Sequence, residues 1–300
     1  MTFARVSAIM AVKYTVEVLS MTYAQGLKRG ASLCFSGCYD ESSLSALRDA
    51  GIECVELSFN FDKFMNVIRF PERWQECAEL AERVGVELWS IHLPFSQVLD
   101  ISSPEEHYRA ITYYTHTRLI EAAGKAGVKV AVLHPGAEPI SLEERSERLA
   151  NSRDGIRKLR EACDRAGLLL AVENLPRTCL CNSSSEMIEL LRGTGAGIVF
   201  DTNHSLGEDN VAFLAALADS GIPIYSLHIS DYDFVDERHR LPGDGCNDWS
   251  ALISILERAG YSGPLMYEVV RQPQDREPIT EAQLGENMRS LAAGEIHATA

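Results

Sequence analysis

The sequence predicts a single-domain α/β protein, a (β/α)8 TIM barrel, and three features predict it. Short apolar runs alternate with longer amphipathic stretches, eight times along the chain. The runs are close to continuously hydrophobic, as strands of a parallel sheet covered on both faces are. Several stretches between them end in glycine just before the next run, at Gly51, Gly85, Gly127, Gly167, Gly221 and Gly260, where a helix closes through a left-handed residue. A doubly wound open sheet is the second choice. No Pro/Gly/Ser-rich linker divides the chain.

Taken in order, residues 1–28 match no element of the repeat and stand as an N-terminal extension whose structure the pattern does not assign. The barrel takes residues 29–293, and the tail 294–300 is expected to be loose. The strand candidates are "ASLCF" (31–35), "IECVELSF" (52–59), "VELWSIHL" (86–93) and "VKVAVLH" (128–134). They continue as "LLLAVEN" (168–174), "GIVFD" (197–201), "IYSLHIS" (224–230) and "PLMYEV" (264–269). Between them, Ser103-Pro104-Glu105-Glu106 reads as a helix start. Ser141 and Glu144 open another long amphipathic stretch in the spacing of a capping box.

Bulk properties narrow the partners. At 46% hydrophobic and 24% charged, the 300 residues can bury one large core. A net charge of −15 repels polyanions and counts against a nucleic-acid partner. No apolar run reaches the roughly 18–20 residues of a membrane span, and "VSAIMAV" (6–12) is too short for a signal sequence. The eight cysteines include no C-x-x-C pair, only Cys179 and Cys181 as a C-x-C. Residues such as Cys54, Cys77 and Cys163 sit in apolar patterns, so the expectation is a cytoplasmic protein with reduced thiols. Oligomeric state stays open, a homo-oligomer included.

The polar residues are the informative ones. Six of the eight strands end in a side chain able to bind metal: His92, His134, Glu173, Asp201, His228 and Glu268. Any one has an ordinary explanation, such as a helix cap for Asp201. Six in register at the strand C-termini, where barrel active sites are built, point to a site. Buried carboxylates need a compensating charge, which a divalent cation supplies. Carboxylates and imidazoles without thiolate suit Mn²⁺, Mg²⁺, Co²⁺ or Zn²⁺. Glu173, Asp201, His228 and Glu268, from the last four strands, could surround one ion. His92, His134, His204 and His239 are then left for substrate or for further metal. In the loop after strand seven, Asp231 is placed to orient His228. Glu237 and His239 flank Arg238 there, and Gly243 and Gly245 offer backbone N–H groups to an anion.

The set "SIHLPF", "VLHPG", "VENLP", "FDTNH", "HISD", "ERHRLPGDG" and "YEV" resembles the xylose isomerase-like barrel superfamily across about 31–288. That superfamily includes sugar and sugar phosphate isomerases and epimerases, inosose dehydratases and abasic-site endonucleases. The epimerase branch implies one divalent ion on Glu173, Asp201, His228 and Glu268. Glu173 and Glu268 would double as proton-transfer bases beside a metal-stabilised enediolate, and His92, His134, His204, Glu237 and His239 would face a small-molecule sugar. The endonuclease branch implies three zinc ions and recruits that second set as ligands, but Glu237 stands where its pattern has Asp. The stretch "GDGCNDWSALISILERAGYSGPLMYE" is similar to the sugar enzymes. The expectation is therefore a metal-dependent isomerase or epimerase of a sugar or a sugar phosphate. The alternatives are the trinuclear-zinc endonuclease, an inosose-type dehydratase and a catalytically silent sugar-binding barrel.

Overall fold

The structure, a computed structural model, describes residues 23–58, 72–274 and 276–296. Of the extension, only residues 23–28 fall within it, and residues 297–300 of the tail lie outside. Eight parallel strands run β1 (Arg29–Ser32), β2 (Cys54–Leu57), β3 (Glu87–His92), β4 (Val130–Leu133), β5 (Leu169–Glu173), β6 (Gly197–Asp201), β7 (Ile224–His228) and β8 (Leu265–Tyr267). The helices between and after them are α1 (Glu41–Asp49), α2 (Glu72–Val84), α3 (Glu106–Lys125) and α4 (Leu142–Ala166). They continue as α5 (Ser184–Leu191), α6 (Asn210–Asp219), α7 (Trp249–Arg258) and α8 (Glu281–Ala292).

The sheet order is β7-β6-β5-β4-β3-β2-β1-β8. The ring closes between its two ends through a parallel bridge of Ile229 with Tyr267. There Ile229 N donates to Met266 O at 2.7 Å and Glu268 N to Ile229 O at 3.0 Å. The barrel is the expected fold. The first strand lies two to three residues earlier than its apolar run suggested, because Arg29 and Gly30 pair with β8 ahead of the hydrophobic stretch.

The period of two along each strand sorts the core into two compartments. Ala131, Leu133, Leu170, Val172, Ile198 and Phe200 belong to the large cluster shared with the helices. Their neighbours Val130, Val132, Ala171 and Val199 form a separate cluster with Trp89 and Tyr225 against it. This second set faces the barrel interior. Two residues further along the same rows come His134, Glu173 and Asp201. These three polar side chains therefore continue the inward-facing rows past the point where the apolar filling stops.

The glycines that end the amphipathic stretches all have left-handed backbones, with φ between 69° and 96°. Ser141 caps α4 by accepting from Glu144 N at 3.3 Å. The reciprocal side-chain bond of a capping box is seen instead at Thr280 and Gln283, ahead of α8. α3 begins at Glu106 with no side-chain cap, while Ser103 Oγ accepts from Glu105 N at 3.1 Å one turn earlier.

Candidate active site

All nine sequence-selected residues meet at the C-terminal mouth of the barrel. His92, Glu173, Asp201 and His228 are the last residues of their strands, and His134 and Glu268 lie one residue beyond β4 and β8. His92, His134, Glu173, His204, Glu237, His239 and Glu268 line one cavity of about 360 Å³. Asp201 and His228 are fully buried beneath it.

His228 is the hub. Its Nδ1 lies 2.7 Å from Glu173 Oε1, 3.1 Å from Glu268 Oε2 and 3.8 Å from Asp201 Oδ2. Glu173 is ringed by imidazoles, with His92 Nε2 at 3.2 Å and His134 Nε2 at 3.1 Å from Oε2. Burial alone would raise the Glu173 pKa, but His228, His134 and His92 together pull it well below the ordinary carboxylate value. Glu268 is likewise held low against burial, chiefly by His228. Asp201 moves the other way. Burial lifts its pKa well above normal, and the nearby Glu268 and Glu173 charges add to the lift.

Ligand atoms of Glu173, Asp201, His228 and Glu268 all lie within 4.8 Å of one another. Asp201 Oδ2 is buried without a hydrogen-bond partner, whereas its Oδ1 accepts from Asn203 N at 2.6 Å. Three oxygens and one imidazole nitrogen, one oxygen being a buried orphan, fit a hard or borderline divalent cation. These four residues are the ones that would hold it. A second group with the same spread comprises His204, Glu237 and His239, and a third comprises His92, Glu173 and His228.

The remaining imidazoles are pinned. His204 Nδ1 donates to Asn174 O at 2.9 Å, and its Nε2 lies 2.9 Å from Glu237 Oε1. Burial would lower its pKa, but Asp201 and Glu237 raise it to about 10. His239 Nδ1 donates to Glu268 O at 3.0 Å. In the same cavity Phe95 stacks on His134 with ring centroids 3.7 Å apart, yet stays half exposed.

Two expectations are corrected. Asp231 does not orient His228. Its carboxylate instead accepts from Tyr232 N, Gly243 N, Asn247 N and Trp249 Nε1, at 2.9–3.2 Å. Burial lifts its pKa and these donors oppose the lift. The backbone N–H of Gly243 is thereby committed to an internal carboxylate rather than offered outward. The partner of His228 is Glu56 of β2, whose Oε1 lies 3.1 Å from Nε2 and whose Oε2 accepts from Ser90 Oγ at 2.8 Å. Glu56 went unnoticed because it lies mid-strand in "CVEL". A fully buried acid in an otherwise apolar strand was the available signal. Arg177 was also missed. It carries a left-handed backbone (φ 52°) and reaches Glu138, Asp236 and Glu237 across the mouth.

The chain is 29% identical to an uncharacterised protein of Methanocaldococcus jannaschii over 205 residues, 66% of this chain and 69% of that protein. It is 24% identical to the rhizopine catabolism protein MocC of Rhizobium meliloti over 318 aligned positions, covering 96% of this chain and 90% of MocC. Among solved structures, a D-tagatose 3-epimerase-like protein superposes with a TM-score of 0.75 at 23% identity, over 90% of this chain and 98% of that one. At that identity the likeness speaks for the fold. The profile of one family covers residues 44–293, from α1 to the end of α8. The protein belongs to the xylose isomerase-like TIM barrel family.

Proposed function

We propose that the protein is a divalent-metal-dependent isomerase or epimerase of a sugar, with Glu173 and Glu268 as the proton-transferring groups. One observation carries the reading: two carboxylates from strand ends separated by β6 and β7 both reach His228 Nδ1, at 2.7 and 3.1 Å. The same two carboxylates lie within the four-residue group able to hold one cation. The 3-epimerase-like structural neighbour agrees with the assignment.

Glu173, Asp201, His228 and Glu268 would hold the ion. When bound, it supplies a Lewis acid that polarises a substrate carbonyl and acidifies the adjacent C–H. Glu173 and Glu268 are both held in the ionised, proton-accepting form by the imidazoles around them. Both line the cavity, so either can take a proton from a substrate carbon and the other can return one. Epimerisation uses both in turn, and a 1,2-isomerisation needs one. Phe95, Leu175 and Pro176 contribute apolar surface to the lining of the same cavity.

The test is solvent-deuterium incorporation into a panel of ketoses with Mn²⁺ present. Glu173→Gln and Glu268→Gln are each expected to lose at least about 100-fold in exchange rate while keeping the wild-type circular dichroism spectrum. Undiminished incorporation by both variants would refute the assignment.

A further inference from the structure

(β/α)8 barrels frequently bind anionic substituents at the loops after strands seven and eight, on backbone N–H groups and a helix N-terminus. In this protein that position is filled from within. The Asp231 carboxylate sits in the turn after β7 and takes the N–H groups of Tyr232, Gly243 and Asn247 together with Trp249 Nε1. The turn closes on it so tightly that a Cβ at Gly245 would come within 2.5 Å of Asp231 Oδ1 and 2.2 Å of Tyr232 O. At the start of α7, Ala251 N is taken by Asp248 Oδ1 at 3.0 Å. An arriving anion would meet a resident carboxylate instead of open donors.

The arginine that lines the cavity among the described residues is similarly committed. Arg177 lines the mouth, and its guanidinium pairs with Glu138 from the loop after β4 and with Asp236 and Glu237 from the loop after β7. Nη2 lies 2.6 Å from Glu138 Oε1 and Nη1 lies 3.1 Å from Asp236 Oδ1. Three carboxylates thus face one guanidinium at the entrance. A phosphate or carboxylate on the substrate could reach Arg177 only by displacing one of them, against the charge of the rest. The same cavity also presents the half-exposed Phe95 ring stacked on His134, a surface suited to the C–H face of a sugar.

We propose that the substrate is an uncharged sugar, and that the Arg177 clamp and the Asp231-filled turn exclude phosphorylated and carboxylated ones. This rests on the isomerase/epimerase reading above. Full-length Mn²⁺-loaded protein is assayed for solvent-deuterium incorporation into D-fructose and D-tagatose and into their 6-phosphates. The free ketoses are expected to exchange with a kcat/KM at least about tenfold higher. Equal or faster exchange into the phosphates overturns the proposal.

Calorimetric titration with D-fructose 6-phosphate reads the charge preference without turnover. Binding weaker than about 1 mM is expected, and clearly tighter binding overturns it. A Glu138→Gln/Asp236→Asn double variant releases Arg177 from two partners while leaving Glu237 and the inner cluster untouched. It should gain about tenfold in affinity for the phosphate, and no gain removes the clamp as the cause. If none of the four sugars exchanges, the isomerase reading falls, while the two titrations still decide the charge preference.

Discussion

At the scale of single residues, His228 shows how one imidazole is given a fixed orientation. Its Nε2 is engaged by Glu56, 172 residues away in sequence, so Nδ1 is the nitrogen turned toward Glu173, Asp201 and Glu268. Carboxylate partners of this sort fix the tautomer and orientation of a metal-binding imidazole. On the proposed reading, Glu56→Gln should weaken Mn²⁺ binding about 10–100-fold, measured by titrating the metal-free protein. The tautomer of His228, followed by ¹⁵N NMR of labelled histidine, should shift as well. A variant that binds Mn²⁺ as tightly as wild type, with an unchanged imidazole spectrum, would remove the positioning role. His228 was legible in the sequence because it terminates an apolar strand. Glu56 and Arg177 were not, since one lies mid-strand and the other in a loop. An acid inside an apolar strand was a signal at Glu56 without a direction, and nothing local marks Arg177 as facing the mouth.

At the scale of elements, the strands carried most of the information and the helices carried the tolerances. The two-residue period that puts Val132 and Ala171 inside the barrel also puts His134 and Glu173 at its mouth. That inference needs only a strand's direction and length. How closely the elements approach is a different matter. An ideal Cβ at Gly124, near the end of α3, would lie 2.4 Å from Ala166 O and 3.1 Å from Ala166 Cβ at the end of α4. Helix propensity alone favours Gly124→Ala by about 1 kcal/mol. Overpacking against a backbone oxygen that cannot rotate away costs about 1–3 kcal/mol. The substitution is therefore expected to lower the thermal midpoint. A rise would mean that α3 and α4 separate more readily than their packing indicates.

At the scale of the whole molecule, the buried histidines couple stability to pH. His116 on α3 is buried, its Nε2 donating to Pro94 O at 2.9 Å and its Nδ1 without a hydrogen-bond partner. Burial lowers its pKa to about 4, with the neighbouring His134 and His92 charges adding to the fall. The sign follows from linkage. Above the ordinary histidine value both folded and unfolded forms are neutral, so nothing is lost. Between about pH 6.5 and pH 4 the unfolded chain takes up a proton that the folded chain refuses, and stability falls as pH falls. His116→Gln should remove this contribution. Relative to wild type, the variant is expected to gain about 2 kcal/mol on going from pH 7 to pH 5, read from urea unfolding at both values. Taking the difference cancels the opposite pull of His204, whose pKa is raised. Parallel pH profiles for the two proteins would show that His116 is not buried neutral.

Local pattern alone suffices for the alternation of strands and helices, the left-handed glycines that end the helices, and the register of acids and imidazoles at the strand ends. Each of these depends on local periodicity and backbone sterics, which neighbouring residues suffice to set. The packed barrel is what sets which carboxylate meets which imidazole. It paired His228 with Glu56 rather than Asp231, turned Asp231 into the filling of its own loop, and set Arg177 across the mouth. Those choices follow from distances between groups on different strands and loops, because a buried charge is stabilised by whatever folds within a few ångströms of it, however far away that lies along the chain.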